Sequence, residues 1–247
     1  MPDLRHFTSC LKFPGMALLG FLMATPAQAL ISVTTGAGTA TAPDALCAHG
    51  TRQSPVDIVS TQKKNLPAIQ FNYQSGPLKI VNDGHTVRVR FSNGSHIIIG
   101  KKKFILQQMH FHYPSGDRIA GHEFDLAMHF IHKSTDGQLL VAVVLFQPGQ
   151  SHDGLNDLLP NMPATKSREL DSAAVRVDPS RFIPAQHGYY TYTGSLTAPP
   201  CTEGITWLVF RQPVGLAQEQ LNTLKSLFPT NARPAQPLHG RVIQESL

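Results

Sequence analysis

A chain of 247 residues is long enough for one large domain or two small ones. Hydrophobic residues make up 41% and charged residues 15%, an ordinary balance for a globular protein with a sizeable core, and 19 Gly with 19 Pro favour a turn-rich sheet over a helix bundle. The net charge is +5, Lys101-Lys102-Lys103 is the only basic run, and aromatic and basic residues do not interleave as base-stacking surfaces require, so no nucleic-acid partner is expected.

Residues 1–29 differ from the rest. Arg5 and Lys12 precede an apolar run from Phe13 through Ala24, and Ala27-Gln28-Ala29 has the small-x-small form of a cleavage site. This pattern predicts a secretory signal peptide, the alternative being a short buried helix. No later apolar run is long enough to span a bilayer, so no membrane anchor is expected. The mature chain would begin near Leu30, be periplasmic or secreted, and carry a net charge of +4 once Asp3, Arg5 and Lys12 are removed.

Residues 30–46, rich in Gly, Ala and Thr, read as a flexible lead-in. Cys10 leaves with the leader. Cys47 and Cys201 remain, an even count in an oxidising compartment, and are expected to pair, the alternative being two buried thiols. The chain-entropy model assigns about 4–5 kcal/mol to so long a closed loop.

Strands are then predicted at His85–Phe91, His96–Ile99, Phe104–Tyr113, Phe124–His132, Leu139–Phe146, Tyr189–Thr193 and Ile205–Arg211, with turn signals such as Ser92-Asn93-Gly94 and Thr135-Asp136-Gly137 between them. Ala217–Phe228 carries Leu221, Leu224 and Phe228 at helical spacing and predicts a surface helix. The fold class is mainly β (α+β): one domain over 47–247, dominated by a mixed or antiparallel sheet with short peripheral helices.

The stretch HFHYPSGDRIAGHEFDLAMHF carries the chemistry. His110 and His112 are two apart, so on a strand they share a face. On the next strand Ala127, His129 and Ile131 share one face and Met128, Phe130 and His132 the other. The short connection Pro114–Glu123 allows antiparallel pairing, which would set His129 across from His110 and His112. Three neutral imidazoles with a fourth position open is the arrangement of a catalytic zinc site. The competing reading is a set of core histidines satisfied by the backbone.

RQSPVDI (52–58), NDGHTVRV (82–89), QMHFHYPSG (108–116), EFDLAMHFIH (123–132) and GSLTAPPCTEGITW (194–207) together resemble an alpha-class carbonic anhydrase, and most of all its bacterial secreted branch. The resemblance runs from about Cys47 to the end with the motifs in family order. It implies a central twisted, mostly antiparallel sheet of about ten strands, a Zn2+ cofactor, and carbon dioxide and bicarbonate as substrate and product. His110, His112 and His129 match the metal ligands. Thr197 matches the threonine that orients zinc-bound hydroxide, and His85 the histidine that relays the released proton to buffer. Ile131, Val141, Leu196 and Trp207 match the apolar wall where carbon dioxide rests. Gln108 matches the acceptor behind the first ligand, and the backbone carbonyl of Asn231 is expected to serve the second. Cys47 and Cys201 match the bacterial disulfide. Many bacterial relatives dimerise, so a homodimer is one state the resemblance allows.

Two positions depart from the family pattern. Gly116 stands where a glutamate usually accepts the proton of the threonine hydroxyl, and the adjacent Asp117 is the candidate substitute. Ala127 stands where a glutamate usually accepts a hydrogen bond from the third ligand, and loss of such a partner typically costs about 10–100-fold in metal affinity or activity. Two readings follow: a zinc enzyme that hydrates carbon dioxide, and a catalytically weak or silent binding protein on the same scaffold. Hydrolysis of esters is a side activity of the first.

Overall fold

The computed structural model describes residues 42–92 and 94–247. The leader expected at 1–29 and lead-in residues 30–41 lie outside the described residues. Residues 42–49 form a helix carrying Cys47, so the part of the lead-in that is described has regular structure. Its composition, APDALCAH, is rich in good helix formers, and Cys47 is tied by a disulfide to Cys201.

Ten strands run side by side in the order Leu170–Val177, Gly76–Asn82, Val87–Arg90, Lys102–His112, Leu126–Ser134, Leu139–Pro148, Glu203–Phe210, Tyr189–Ser195, Ile243–Ser246 and Thr61–Lys64. Ile69–Asn72, His96–Ile99 and Val214–Leu216 join off this path, giving a sheet of 13 strands among the described residues. Pairing is mostly antiparallel. The parallel contacts are Leu139–Pro148 with Glu203–Phe210 and with Val214–Leu216, and Ile243–Ser246 with Thr61–Lys64. No helix among the described residues is long and apolar enough to cross a membrane.

Strand parity sorts the side chains onto two cores. Met109, Phe111, Met128, Phe130, Ala142, Val144 and Phe146 project to one face, where Leu155, Phe182, Leu221 and Leu224 from the helical segments cover them. Ala127, Val141, Val143, Leu145, Trp207 and Val209 project to the other face with Val56 and Tyr192. The two central strands are covered on both sides, which is why Leu139–Pro148 reads as a nearly continuous apolar run. Each large side chain so buried contributes about 1.5–3 kcal/mol.

All seven predicted strands are present with ends shifted by a few residues, and the predicted helix runs Gln218–Leu227. The sequence reading missed Thr61–Lys64, Leu170–Val177 and Ile243–Ser246, which lie at or beside the sheet's edges; the first and last are largely polar, and Leu170–Val177 is mostly exposed. It also missed Gly76–Asn82, whose alternation of Leu78 and Ile80 is interrupted at its start by Pro77.

Candidate metal centre

The Lys102–His112 strand buries Met109 and Phe111 in the larger core, and parity turns His110 and His112 to the opposite face. His129 is the direct antiparallel partner of His110, and Ala127 that of His112. The three rings converge, with centroids 4.9 Å (His110–His112), 5.3 Å (His110–His129) and 4.3 Å (His112–His129) apart. One nitrogen from each lies within 4.8 Å of the others.

The sheet ladder builds the rest of the site in rows. Gln108, Ile131, Val141, Trp207 and Tyr192 are successive cross-strand partners. Two residues along each strand, on the same face, Arg88, His110, His129 and Val143 form the next row. An amide, an apolar wall and a polar rim therefore follow from register alone. A single cavity is lined by His110, His112 and His129 together with His85, Gln108, Ile131, Val141, Leu196, Thr197, Trp207 and Asn231.

The rings are electrically neutral and fixed. Burial holds His110 and His129 well below the ordinary histidine range, with neighbouring imidazoles pushing the same way. Burial takes His112 down to about 4, the Asn231 backbone opposing. Neutral imidazoles at pH 7 keep their lone pairs free for a metal. His110 Nδ1 donates to Gln108 Oε1 at 3.0 Å, which directs its Nε2 lone pair towards the cluster, 3.0 Å from His112 Nε2. The Asn231 carbonyl sits near His112 without a well-formed hydrogen bond, so His112 Nδ1 is buried and unpartnered. His129 is 3% exposed, packs edge-on against Trp207 at 5.2 Å, and has Nε2 buried without a partner. Three convergent neutral donors, one steered by an acceptor behind it, fit a divalent metal and are consistent with a zinc site.

The flanking elements are held by their own polar contacts. Asp83 Oδ1 accepts from the backbone N–H of His85 and of Thr86, both at 2.9 Å, around Gly84 at φ +89°. Asn231 Nδ2 donates to the carbonyls of His85 (2.8 Å) and Phe111 (3.0 Å), and its Oδ1 accepts from Tyr113 N at 2.8 Å. The side chain of Asn231 thus clamps the His85 turn to the ligand strand, a function distinct from the backbone role expected for it. Thr197 lies in a tight loop closed by Leu196 N–H to Thr202 O (3.0 Å) and Cys201 N–H to Ala198 O (2.9 Å). Trp207 Nε1 donates to Ser195 O at 3.0 Å and holds the wall against that loop.

Asp117 lies behind the cluster, fully buried. Burial pushes its carboxyl up to about 7, with the Val56 backbone and the Tyr192 hydroxyl pulling the other way. Oδ1 accepts from Tyr192 Oη at 3.4 Å, while Oδ2 lies 3.9 Å from His129 Nε2 and has no hydrogen-bond partner. The expected substitute for the missing glutamate therefore faces the third ligand and Tyr192. Arg88 is a cavity residue that the sequence reading missed; its Nη2 donates to Asp83 Oδ2 at 2.7 Å. The alternation Val87-Arg88-Val89, with both valines buried, is the signal that places Arg88 on the histidine face.

Comparison with known proteins agrees with this geometry. A family model described as eukaryotic-type carbonic anhydrase matches residues 40–247. A carbonic anhydrase of Pectobacterium atrosepticum is 40% identical over 199 residues, which is 80% of this chain and 81% of that protein. The solved alpha-carbonic anhydrase of Photobacterium profundum is 34% identical with a TM-score of 0.78, covering 82% of this chain and 93% of its own. The Thermovibrio ammonificans alpha-carbonic anhydrase, solved with the inhibitor sulfanilamide, is 34% identical with a TM-score of 0.79 over 82% of this chain and 90% of that one. With a match that takes in the whole sheet and every strand bearing the histidine cluster, the chain belongs to the alpha-class carbonic anhydrases.

Proposed function

We propose that the protein hydrates carbon dioxide reversibly to bicarbonate and a proton, with zinc as the metal held by His110, His112 and His129. The observation that carries this reading is the convergence of three neutral imidazoles on a cavity with one apolar wall. Three nitrogen ligands at an accessible cavity describe a catalytic zinc site, since structural sites are closed by four protein ligands. Nitrogen donors of borderline softness suit zinc among the divalent metals. Zinc held there would supply, as is established for carbonic anhydrases generally, a bound water whose pKa is lowered to about 7.

The chain's own residues do the remainder. Carbon dioxide has no net charge or dipole, and Ile131, Val141, Leu196 and Trp207 give it an apolar resting surface beside the histidines. Thr197, which lines the same cavity, would orient the oxygen that a bound zinc activates. His85, exposed on its clamped turn, relays the released proton to buffer through water. Gln108 and Asn231 hold the ligand strand and its first ring in place.

The bacterial relatives and the Cys47–Cys201 bond support assignment to the bacterial secreted branch, with export to the periplasm or medium and cleavage near Leu30. Amino-terminal sequencing of the exported protein tests the cleavage site, and light scattering distinguishes a monomer from a homodimer. The catalytic reading is tested by stopped-flow hydration of carbon dioxide with zinc content measured in parallel. Hydration well above buffer, lost together with zinc in His129→Ala, is expected. Full zinc occupancy without hydration favours the binding-scaffold reading, and stoichiometric zinc in His129→Ala refutes the ligand set.

A further inference from the structure

We propose that Asp117 is the positioning residue for His129: its carboxylate, delivered from the connecting loop, accepts the Nε2 proton of the ring and leaves Nδ1 for the metal. This inference rests on the zinc reading above.

An imidazole that binds a metal through one nitrogen carries its proton on the other. In a buried site that N–H needs an acceptor, or the cost of its desolvation goes uncompensated. Among the described residues four buried side-chain polar atoms lack a partner, and two of them, His129 Nε2 and Asp117 Oδ2, face each other. They are complementary in chemistry and stand 3.9 Å apart, so a relative movement of about 1 Å brings them to charge-assisted hydrogen-bond distance.

The carboxylate is held for this task. Oδ1 takes the Tyr192 hydroxyl at 3.4 Å; Tyr192 stacks on Trp207 at 5.8 Å, and Trp207 in turn packs edge-on against His129. The backbone is pinned on both sides. Ser115 Oγ donates to Asp117 O at 2.6 Å and accepts from Phe124 N at 3.1 Å, and Arg118 N–H donates to Val56 O at 3.1 Å.

The chain's two departures then explain each other. Ala127 shares a face with His129 but offers no acceptor. Gly116 adopts φ +76°, and a Cβ there would lie 3.1 Å from Pro55 Cγ and 3.2 Å from Arg233 O. The glycine permits the turn that carries Asp117 inward, so an acceptor absent from the strand is supplied from the loop.

The test is zinc release from the holoenzyme to excess chelator, with histidine-selective 15N NMR of the zinc-loaded wild type. Asp117→Asn should release zinc about 10–100-fold faster. Asp117→Ala combined with Ala127→Glu, which returns an acceptor from the strand, should restore slow release, a recovery that a general packing role would not produce. In wild type the His129 proton should reside on Nε2 and exchange slowly; this measurement needs no variant. Unchanged zinc release in a folded Asp117→Asn, or a His129 proton on Nδ1, overturns the proposal while leaving the zinc reading intact. Failure of the wild type to bind zinc overturns both.

Discussion

The Cys47–Cys201 disulfide spans a sequence separation of 154. On the chain-entropy account, closing a loop of that size removes about 17 cal/mol/K from the unfolded chain, or about 5 kcal/mol at 25 °C. The native ends do not depend on the bond alone. Arg233 Nη2 donates to Cys47 O at 2.6 Å and Gln53 Nε2 to Cys201 O at 3.2 Å, so both cysteine backbones are also held noncovalently. Cys47→Ser combined with Cys201→Ser should therefore fold to the same sheet and lose stability mainly through a freer unfolded state. For a domain of this size the loss corresponds to a fall in Tm of about 10–20 °C. Thermal and urea unfolding of the oxidised protein, the reduced protein and the double variant measure it, with reduction expected to leave the double variant unchanged. The urea m-value should rise in the variant, because its unfolded chain exposes more surface. A double variant that melts within about 2 °C of the oxidised protein would refute the reasoning.

Gly116→Glu, which places a carboxylate where family members usually have one, should destabilise the protein by at least about 1–3 kcal/mol, since φ is +76° and the added Cβ meets Pro55 and the Arg233 carbonyl; a gain in both Tm and hydration rate would contradict this. His132, buried against Tyr73 and the Phe130 carbonyl, has its pKa pulled down by burial to about 3. Its folded value lies below the unfolded value of about 6.5, so the stability it contributes is complete above that pH and is lost as pH falls towards 3. Urea unfolding free energies that stay flat from pH 7 to 4 would disprove this linkage. His85→Ala should slow turnover in weak buffer and recover with added imidazole; turnover indifferent to buffer concentration would remove the relay.

Much of the site was legible because it depends on period two. Once Met109 and Phe111 are apolar and must enter the core, His110 and His112 have no choice of face, and the same rule places His129 with Ile131. The apolar run at Leu139–Pro148 likewise declared a strand covered on both sides. The largely polar strands Thr61–Lys64 and Ile243–Ser246 were silent, because their positions come from backbone pairing with neighbours already in place. Asn231 could be named from the resemblance, but the reach of its side chain to His85 and Phe111 depends on a chain separation of 120 residues or more.

By itself, therefore, the sequence determined which residues share a face and that three histidines lie on adjacent strands, and it pointed to Cys47 and Cys201 as a pair, because these follow from local periodicity and composition. Only the tertiary structure decided register, which aligned Gln108, Ile131, Val141 and Trp207 into one wall, and the course of the loop at Gly116. That course turned Asp117 from a neighbour of a missing glutamate into a buried carboxylate facing His129. Both are set by contacts between segments far apart in the chain, where packing and hydrogen-bond satisfaction choose among geometries that local preference leaves equal.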